Sequence, residues 1–354
     1  MVANIIEENF KGNLHYLYEN KKISSSQLEH FLKRGIQVIR PKEDFNLGSL
    51  SSILPNIVIG ASKSYISKLK IPYQATSYIA AEVFPNSKRY IYKVPGNPGG
   101  GVVKLTGDKR NIGDSVFAST HRILLGNQAI LLSIYNLMIN KNHIWNWEFF
   151  GNKMKESNEG VYNDLSLLYE QFSKNNQSSY VIVVSRNPKS FDKSGIIHFY
   201  QKKEVAIFNQ DRRKILFLTN QEGYDYISKY IPESDFIQYV VTGSEFNIFD
   251  ALRILKKKYQ IDIILNDGGR IMSNGFKDSG VLGEERITLE PYPGKVLIQK
   301  ENHKVIEEST LGIKGTGIDN SEISEAILLY SYPFGQEKMN VYVYPLDDSR
   351  VLFH

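Results

Sequence analysis

The spacing of apolar residues changes character several times along the chain, and each change marks a different kind of element. Residues 4–20 (NIIEENFKGNLHYLYEN) place apolar side chains at helical spacing. Ser26-Gln27-Leu28-Glu29 has the form of a capping box, which predicts a short helix ending at Gly35. IQVIRP reads as a strand stopped by Pro41. Residues 42–75 are mixed in pattern and predict no definite element.

From about residue 76 strands and helices alternate. SYIAAEVF and RYIYKV have strand character, Asp114 to Leu125 is helical in pattern, and QAILLSIY reads as a buried strand. Between them lies the glycine-rich PGNPGGG, Pro95 to Gly101, which could cradle an anion, although plain connecting loops of this composition are commoner. The polar stretch Asn140 to Ser179 carries Trp145 and Trp147 and one helix, YNDLSLLYEQF. YVIVVS, KILFLT and FIQYVV are continuous apolar runs of the kind a sheet buries on both faces. Asn247 caps a helix running to Lys258, with Asp250 as the acid three residues on, and IDIILN is the next strand.

After Gly280 the texture shifts to strands with short connections: RITLEPYP, KVLIQK, AILLYSY and NVYVYP. The pattern predicts an α/β fold whose sheet is mixed: mainly parallel, with flanking helices and antiparallel C-terminal strands. It divides the chain into an N-terminal appendage, 1–75, and a main domain, 76–354.

Composition narrows the function classes. The 354 residues are 42% hydrophobic and 23% charged, as in ordinary soluble domains. No apolar run approaches the ~20 residues a membrane span needs, and Met1 is not followed by a signal-peptide pattern. A cytoplasmic protein without membrane contact is expected. The absence of cysteine excludes disulfides, thiolate–zinc sites and a thiol nucleophile. The seven histidines form no HxxxH or HxH pair, so no metal site is expected. A net charge of +5 suits anionic small molecules, and no nucleic-acid partner is expected. Lys256-Lys257-Lys258 closes a predicted helix, where cations complement the dipole. The first two helices and strand could suggest a helix-turn-helix, but no basic recognition face follows them.

In an open α/β sheet, ligands bind beyond the carboxyl ends of strands. IDIILN ends in Asp267-Gly268-Gly269-Arg270-Ile271. Two glycines let the backbone approach a ligand closely, and the amides opening the next helix would meet a diphosphate. A plain strand-to-helix turn, with Asp267 as an Asx-type cap, explains the same residues. YVIVVS ends in Ser185-Arg186-Asn187-Pro188, where a hydroxyl beside a guanidinium suits a phosphate monoester and a surface turn is the alternative. QAILLSIYN offers Ser133 to Asn136 without a motif of its own. GxGxxG, GxxxxGK[ST] and GxSxG are all missing.

The order of these elements resembles the C-terminal reductase domain of the bacterial riboflavin-biosynthesis deaminase/reductases, within the dihydrofolate-reductase-like superfamily. The residues carrying the likeness are Asp267-Gly268-Gly269, RIMSNGFKDS, Gly280 and then VLGEERITLEP without a gap, with Glu284 and Pro291 where that family has its Glu and Pro. Arg122 followed by ILLGNQAILLSIYN is similar to the unit that meets the nicotinamide nucleotide, although the family's Gly-x-Gly-Thr would fall on Ser133-Ile134-Tyr135-Asn136 and its glycines are absent. The family's opening Ser-x-Asp-Gly has no counterpart in YKVPGNPGGGVVKL, and no deaminase zinc set exists.

The resemblance implies an NADPH-dependent reductase that transfers a hydride to a small heterocycle, a ribosylaminopyrimidine phosphate or a pterin-like compound, and acts as a homodimer. It implies that Gly268, Gly269, Arg270 and Ile271 line the diphosphate. Ser185 and Arg186 would hold the 2′-phosphate, and Ser133 would adjoin the nicotinamide nucleotide. Asp267 would be the catalytic acid, orienting ribose or substrate. The missing Ser-x-Asp-Gly leaves open a second reading: a nucleotide-binding or regulatory protein on the same fold without catalysis.

Overall fold

The computed structural model describes residues 2–83, 90–93, 112–133, 154–156, 158–174, 179–185, 213–268, 270–291, 296–299, 305–309, 326–334 and 337–352. The loop Pro95–Gly101, Ile134–Asn136, both tryptophans, Arg186–Pro188 and Gly269 lie outside the described residues, as do the side chains of Ser133, Arg270 and Ile271.

Helix α1 (Val2–Glu19) buries Ile6, Phe10 and Leu14, one stripe at four-residue spacing. In α2 (Ser25–Arg34) the cap is Ser24, two residues before the expected Ser26. Ser24 Oγ takes the Gln27 N–H at 3.2 Å, and Gln27 Oε1 takes the Ser24 N–H at 2.8 Å. The earlier register wins because it sets Ile23 just before the cap and Leu28 at the fourth helical position. Both pack on the core as a hydrophobic staple.

Strand β1 (Gln37–Ile39) pairs antiparallel with β2 (Ile57–Ile59). Pro41 ends β1 by opening α3 (Pro41–Phe45), where its missing N–H costs nothing. Helices α4 (Gly48–Ser51) and α5 (Lys63–Ser67) complete the stretch that gave no definite pattern. Elements of three to five residues are too short for a period to register.

The strand expected from Ser77 begins four residues earlier, as β3 (Tyr73–Val83). In chain order follow β4 (Tyr90–Lys93), α6 (Ile112–Leu124), β5 (Ala129–Ser133), α7 (Glu159–Lys174), β6 (Ser179–Val184) and β7 (Arg213–Thr219). Next come α8 (Gln221–Ile227), β8 (Ile237–Val241), α9 (Ile248–Tyr259), β9 (Ile263–Asn266), α10 (Arg270–Asp278) and β10 (Leu282–Pro291). Asn247 caps α9 as its sequence predicts, Oδ1 accepting from the amides of Phe249 and Asp250. The chain continues through β11 (Val296–Gln299), β12 (Val305–Ser309), β13 (Ile327–Phe334), β14 (Glu337–Val343) and α11 (Asp348–Val351).

The main sheet runs β13-β14-β10-β3-β9-β5-β6-β7-β8, with β4 added on β3. From β10 to β8 every pairing is parallel, whereas β14 is antiparallel to both β10 and β13. β11 and β12 form a separate antiparallel ladder. The class is therefore α/β, with the mixed, mainly parallel sheet and antiparallel C-terminal strands that the sequence implied. The central runs are buried because helices cover both faces: Leu131, Ile182, Val183, Leu216 and Phe217 are all at 0% exposure.

Two features of this topology prepare a site. After β5 the chain moves outward to β6, whereas after the adjacent β9 it crosses β3 to β10, so the connections part between β5 and β9. Strand β9 is also short. It pairs with Tyr73–Thr76 of β3, while β4 joins the same edge of β3 only from Ala80 onward. Ser77, Tyr78 and Ile79 face a window in the sheet there, with no strand partner on that edge among the described residues.

Candidate functional site

The strand ends singled out in the sequence are neighbours. The Asp267 N–H donates to Leu131 O at 2.8 Å, joining the end of β9 to β5. Two residues further along β5, Ser133 pairs with Val184, the residue before Ser185. Ser185 is buried, and its N–H donates to Leu218 O at 3.1 Å. Asp267, Ser133 and Ser185 thus stand in one row across β9, β5 and β6. Gly268 continues that row toward α10, whose first residues are Arg270 and Ile271.

At the turn itself, Asn266 plays the part that local reasoning gave to Asp267. Asn266 Oδ1 accepts the Gly268 N–H at 3.0 Å, which is the Asx turn. The Asp267 carboxylate instead faces Arg122 on α6, with Oδ2 at 3.9 Å from a guanidinium nitrogen. Burial raises the Asp267 pKa above its ordinary value, and Arg122 pulls the other way. A Cβ built on Gly268 would lie 3.0 Å from Asn266 Oδ1 and 3.1 Å from Met272 Cβ, so a side chain here requires these neighbours to give by a few tenths of an ångström.

Beneath this turn lies a charged network that sequence reasoning missed. Glu284 and Arg286 are fully buried, with Arg286 Nε donating to Glu284 Oε1 at 2.6 Å. The other carboxylate oxygen accepts from the Gly60 N–H at 2.6 Å and the Tyr73 hydroxyl at 3.2 Å. Arg286 also donates to Val58 O at 2.5 Å and to His121 Nε2 at 2.6 Å. Because arginine only donates, His121 accepts through Nε2 and carries its proton on Nδ1. Burial first, then Arg286 and Arg122, hold the His121 pKa well below the usual imidazole value. Arg34 extends the network: it donates to the Tyr73 hydroxyl, to Tyr344 O at 2.6 Å and to Gly283 O at 2.7 Å.

Glu284, the family-like Glu, is therefore a buried structural ligand of Arg286 and of the N-terminal segment. A signal for it was present in the sequence: residues i and i+2 of a strand share a face, and this pair carries opposite charge. Nothing local announced that Tyr73, Val58 and Gly60 would complete the set.

The site offers a carboxyl of raised pKa beside a guanidinium, a tight glycine turn, and the start of a nine-residue helix whose first amides can meet an anion. Among the described residues no group of His, Asp and Glu side chains could hold a metal, and no helix is long and apolar enough to cross a membrane.

No protein family profile matches the chain, and no curated protein matches it. Solved structures do. Riboflavin biosynthesis reductase Rib7 of Saccharomyces cerevisiae aligns with 77% of this chain and 90% of its own, at 12% identity and a TM-score of 0.42. RibD of Acinetobacter baumannii aligns over 77% of this chain and 58% of its own, at 12% identity and a TM-score of 0.38. A pyrimidine reductase-like protein of Corynebacterium diphtheriae aligns over 86% and 99%, at 11% identity and a TM-score of 0.43. The likeness is one of chain path, and the chemistry rests on the residues.

Proposed function

We propose that the chain is an NADPH-dependent reductase acting on a small heterocyclic substrate, a ribosylaminopyrimidine phosphate or a pterin-like compound. The observation that carries this reading is the Asp267–Gly268 turn: it opens α10 where the sheet connections part, beside the ends of β5 and β6. The residues present fit a dinucleotide. Gly268 sits close against Asn266 and Met272, and the helix start beyond it suits a diphosphate. Gly269, Arg270 and Ile271 would supply the amides, Ser185 and Arg186 the contacts to a 2′-phosphate, and Ser133 the flank of the nicotinamide nucleotide.

NADPH, when bound, supplies the hydride; the protein contributes position and electrostatics. Asp267, with its raised pKa, is suited to hold a proton or a hydrogen bond at ribose or substrate, and Arg122 keeps the carboxylate form accessible.

Titration with NADPH and NADH tests the reading, followed by NADPH consumption with pyrimidine and pterin substrates. We expect Arg186→Ala to weaken NADPH about tenfold or more, since a charged hydrogen bond contributes roughly 1.5–3 kcal/mol, and to leave NADH nearly unchanged. Binding of neither cofactor would overturn the reductase reading. Binding without turnover on any substrate would establish the second one, a nucleotide-binding protein without catalysis.

A further inference from the structure

The Asp267–Gly268 turn is held by a ring of hydrogen bonds that begins and ends on one residue. The Thr76 hydroxyl on β3 donates to Asn266 O at 3.0 Å. With that proton committed, the 3.0 Å contact between Thr76 Oγ1 and Ser273 Oγ has Ser273, on α10, as donor. Ser273 Oγ in turn accepts from the Asn266 side-chain amide at 3.4 Å. The amide orientation is fixed independently, because Asn266 Oδ1 takes the Gly268 N–H. Thr76 and Ser273 are at 2% exposure and Asn266 at 1%. The ring therefore ties β3, β9 and α10 together beside the window in the sheet.

Its electrical effect is specific. A turn that receives an anion must not present acceptors to it. Three acceptors crowd this one: the last carbonyl of β9, the Asn266 side-chain oxygen and the Asp267 carboxylate. Thr76 occupies the first, the Gly268 amide the second, and Arg122 faces the third. One consequence follows for the donors: the Gly268 N–H is engaged inside the ring, so an incoming diphosphate meets amides only beyond it.

We infer that Thr76, Asn266 and Ser273 are positioning residues that turn the acceptors of the Asp267–Gly268 turn away from a bound dinucleotide diphosphate. This inference rests on the nucleotide reading given above. Ile264, on the same face of β9 as Asn266, and Phe276 of α10 are buried in one apolar core, so the ring's distinct contribution is direction.

Thr76→Val keeps the shape and removes the hydroxyl, leaving the Asn266 carbonyl beside the turn without its donor. Expected is a loss of about tenfold in affinity for both NADPH and NADH, the size of one hydrogen bond's contribution. The loss is shared because both carry the diphosphate, unlike that of Arg186→Ala. Thr76→Ser should restore wild-type affinity to within about twofold on the same reasoning. Ser273→Ala, which breaks the ring without adding volume, should lose affinity in the same direction and serves if Thr76→Val does not fold. Affinities measured by calorimetry that stay at the wild-type value in Thr76→Val and Ser273→Ala overturn the inference, whatever happens to thermal stability. A wild-type protein that binds neither dinucleotide overturns the reductase reading itself. Binding by wild type with no change in the variants overturns the positioning role alone.

Discussion

Removing the charge of Glu284 tests whether the network beneath the turn holds the fold together. The carboxylate sits at 0% exposure and receives Arg286 Nε, the Gly60 amide and the Tyr73 hydroxyl. Arg286 is bonded directly to this carboxylate, and Arg34 reaches it through the Tyr73 hydroxyl. Glu284→Gln leaves Arg286 without the carboxylate it is bonded to. It also sets an NH2 group against a donor, because in either orientation one of Arg286 Nε and Gly60 N loses its acceptor. Breaking a buried pair from one side costs about 3–5 kcal/mol. That is about a fifth or more of a typical total stability of roughly 5–15 kcal/mol.

With a urea slope near ~3 kcal/mol per molar, the unfolding midpoint of Glu284→Gln falls by about 1–1.7 M. Glu7→Gln is the internal control. Its partner Lys11 is just as close, at 2.9 Å, but the two side chains are 48% and 45% exposed. An exposed i,i+4 pair contributes only about 0.3–0.5 kcal/mol. The measurement is equilibrium urea unfolding of wild type and both variants at pH 7, followed by fluorescence. If Glu284→Gln shifts the midpoint no more than Glu7→Gln at equal slope, the reasoning about an uncompensated buried charge is wrong.

Two further predictions concern pH. His121 is held neutral by burial and by Arg286, so the unfolded chain binds a proton below about pH 6.5 that the folded chain refuses. Stability is therefore lost as pH falls below that value, at up to ~1.4 kcal/mol per pH unit. His121→Gln keeps an acceptor for Arg286 and should flatten urea midpoints between pH 7.5 and 5 by about one proton's worth of slope; an unchanged slope would count against the neutral His121. Asp267 runs the other way. Its folded pKa lies above 3.8, so the folded chain holds the proton longer and stability drops as pH rises through that window. Asp267→Asn should gain stability relative to wild type as pH rises above about 4 while losing the turnover proposed above; a difference independent of pH would refute the raised pKa.

How much of this was readable in the residues depends on the length over which each signal is written. The continuous runs Tyr180–Val184 and Ile215–Thr219 announced buried parallel strands, and the short connections after Gly280 announced the antiparallel portion. The Asp267–Gly268 turn was visible as a strand end followed by a helix. Its internal wiring was not, because Asn266 and Thr76 are 190 residues apart and no local pattern links them. The same holds for Arg34, whose place in the last turn of α2 suggests a solvated cation at a helix end. The structure instead buries it against Tyr73 and Gly283, where a Cβ on Gly283 would lie 2.2 Å from the Tyr73 ring. Long-range partners of polar groups are set by topology, which periodicity does not encode.

The position of β9 has a consequence for how the chain acquires its site. β3 is made early, and then the chain travels outward through β5, β6, β7 and β8 before β9 returns to slot between β3 and β5. Closing so long an excursion carries a chain-entropy cost that local pairing does not. The β5–β8 portion can order along adjacent, sequential strands, whereas the Asp267 turn exists only once the returning strand is seated. During synthesis the emerging chain would therefore hold most of a sheet but not the Asp267 turn of its candidate site until residues beyond 266 are free to fold. The turn assigned to chemistry is thus assembled after the strands it adjoins, and its formation reports that β3 and the β5–β8 portion are already in order.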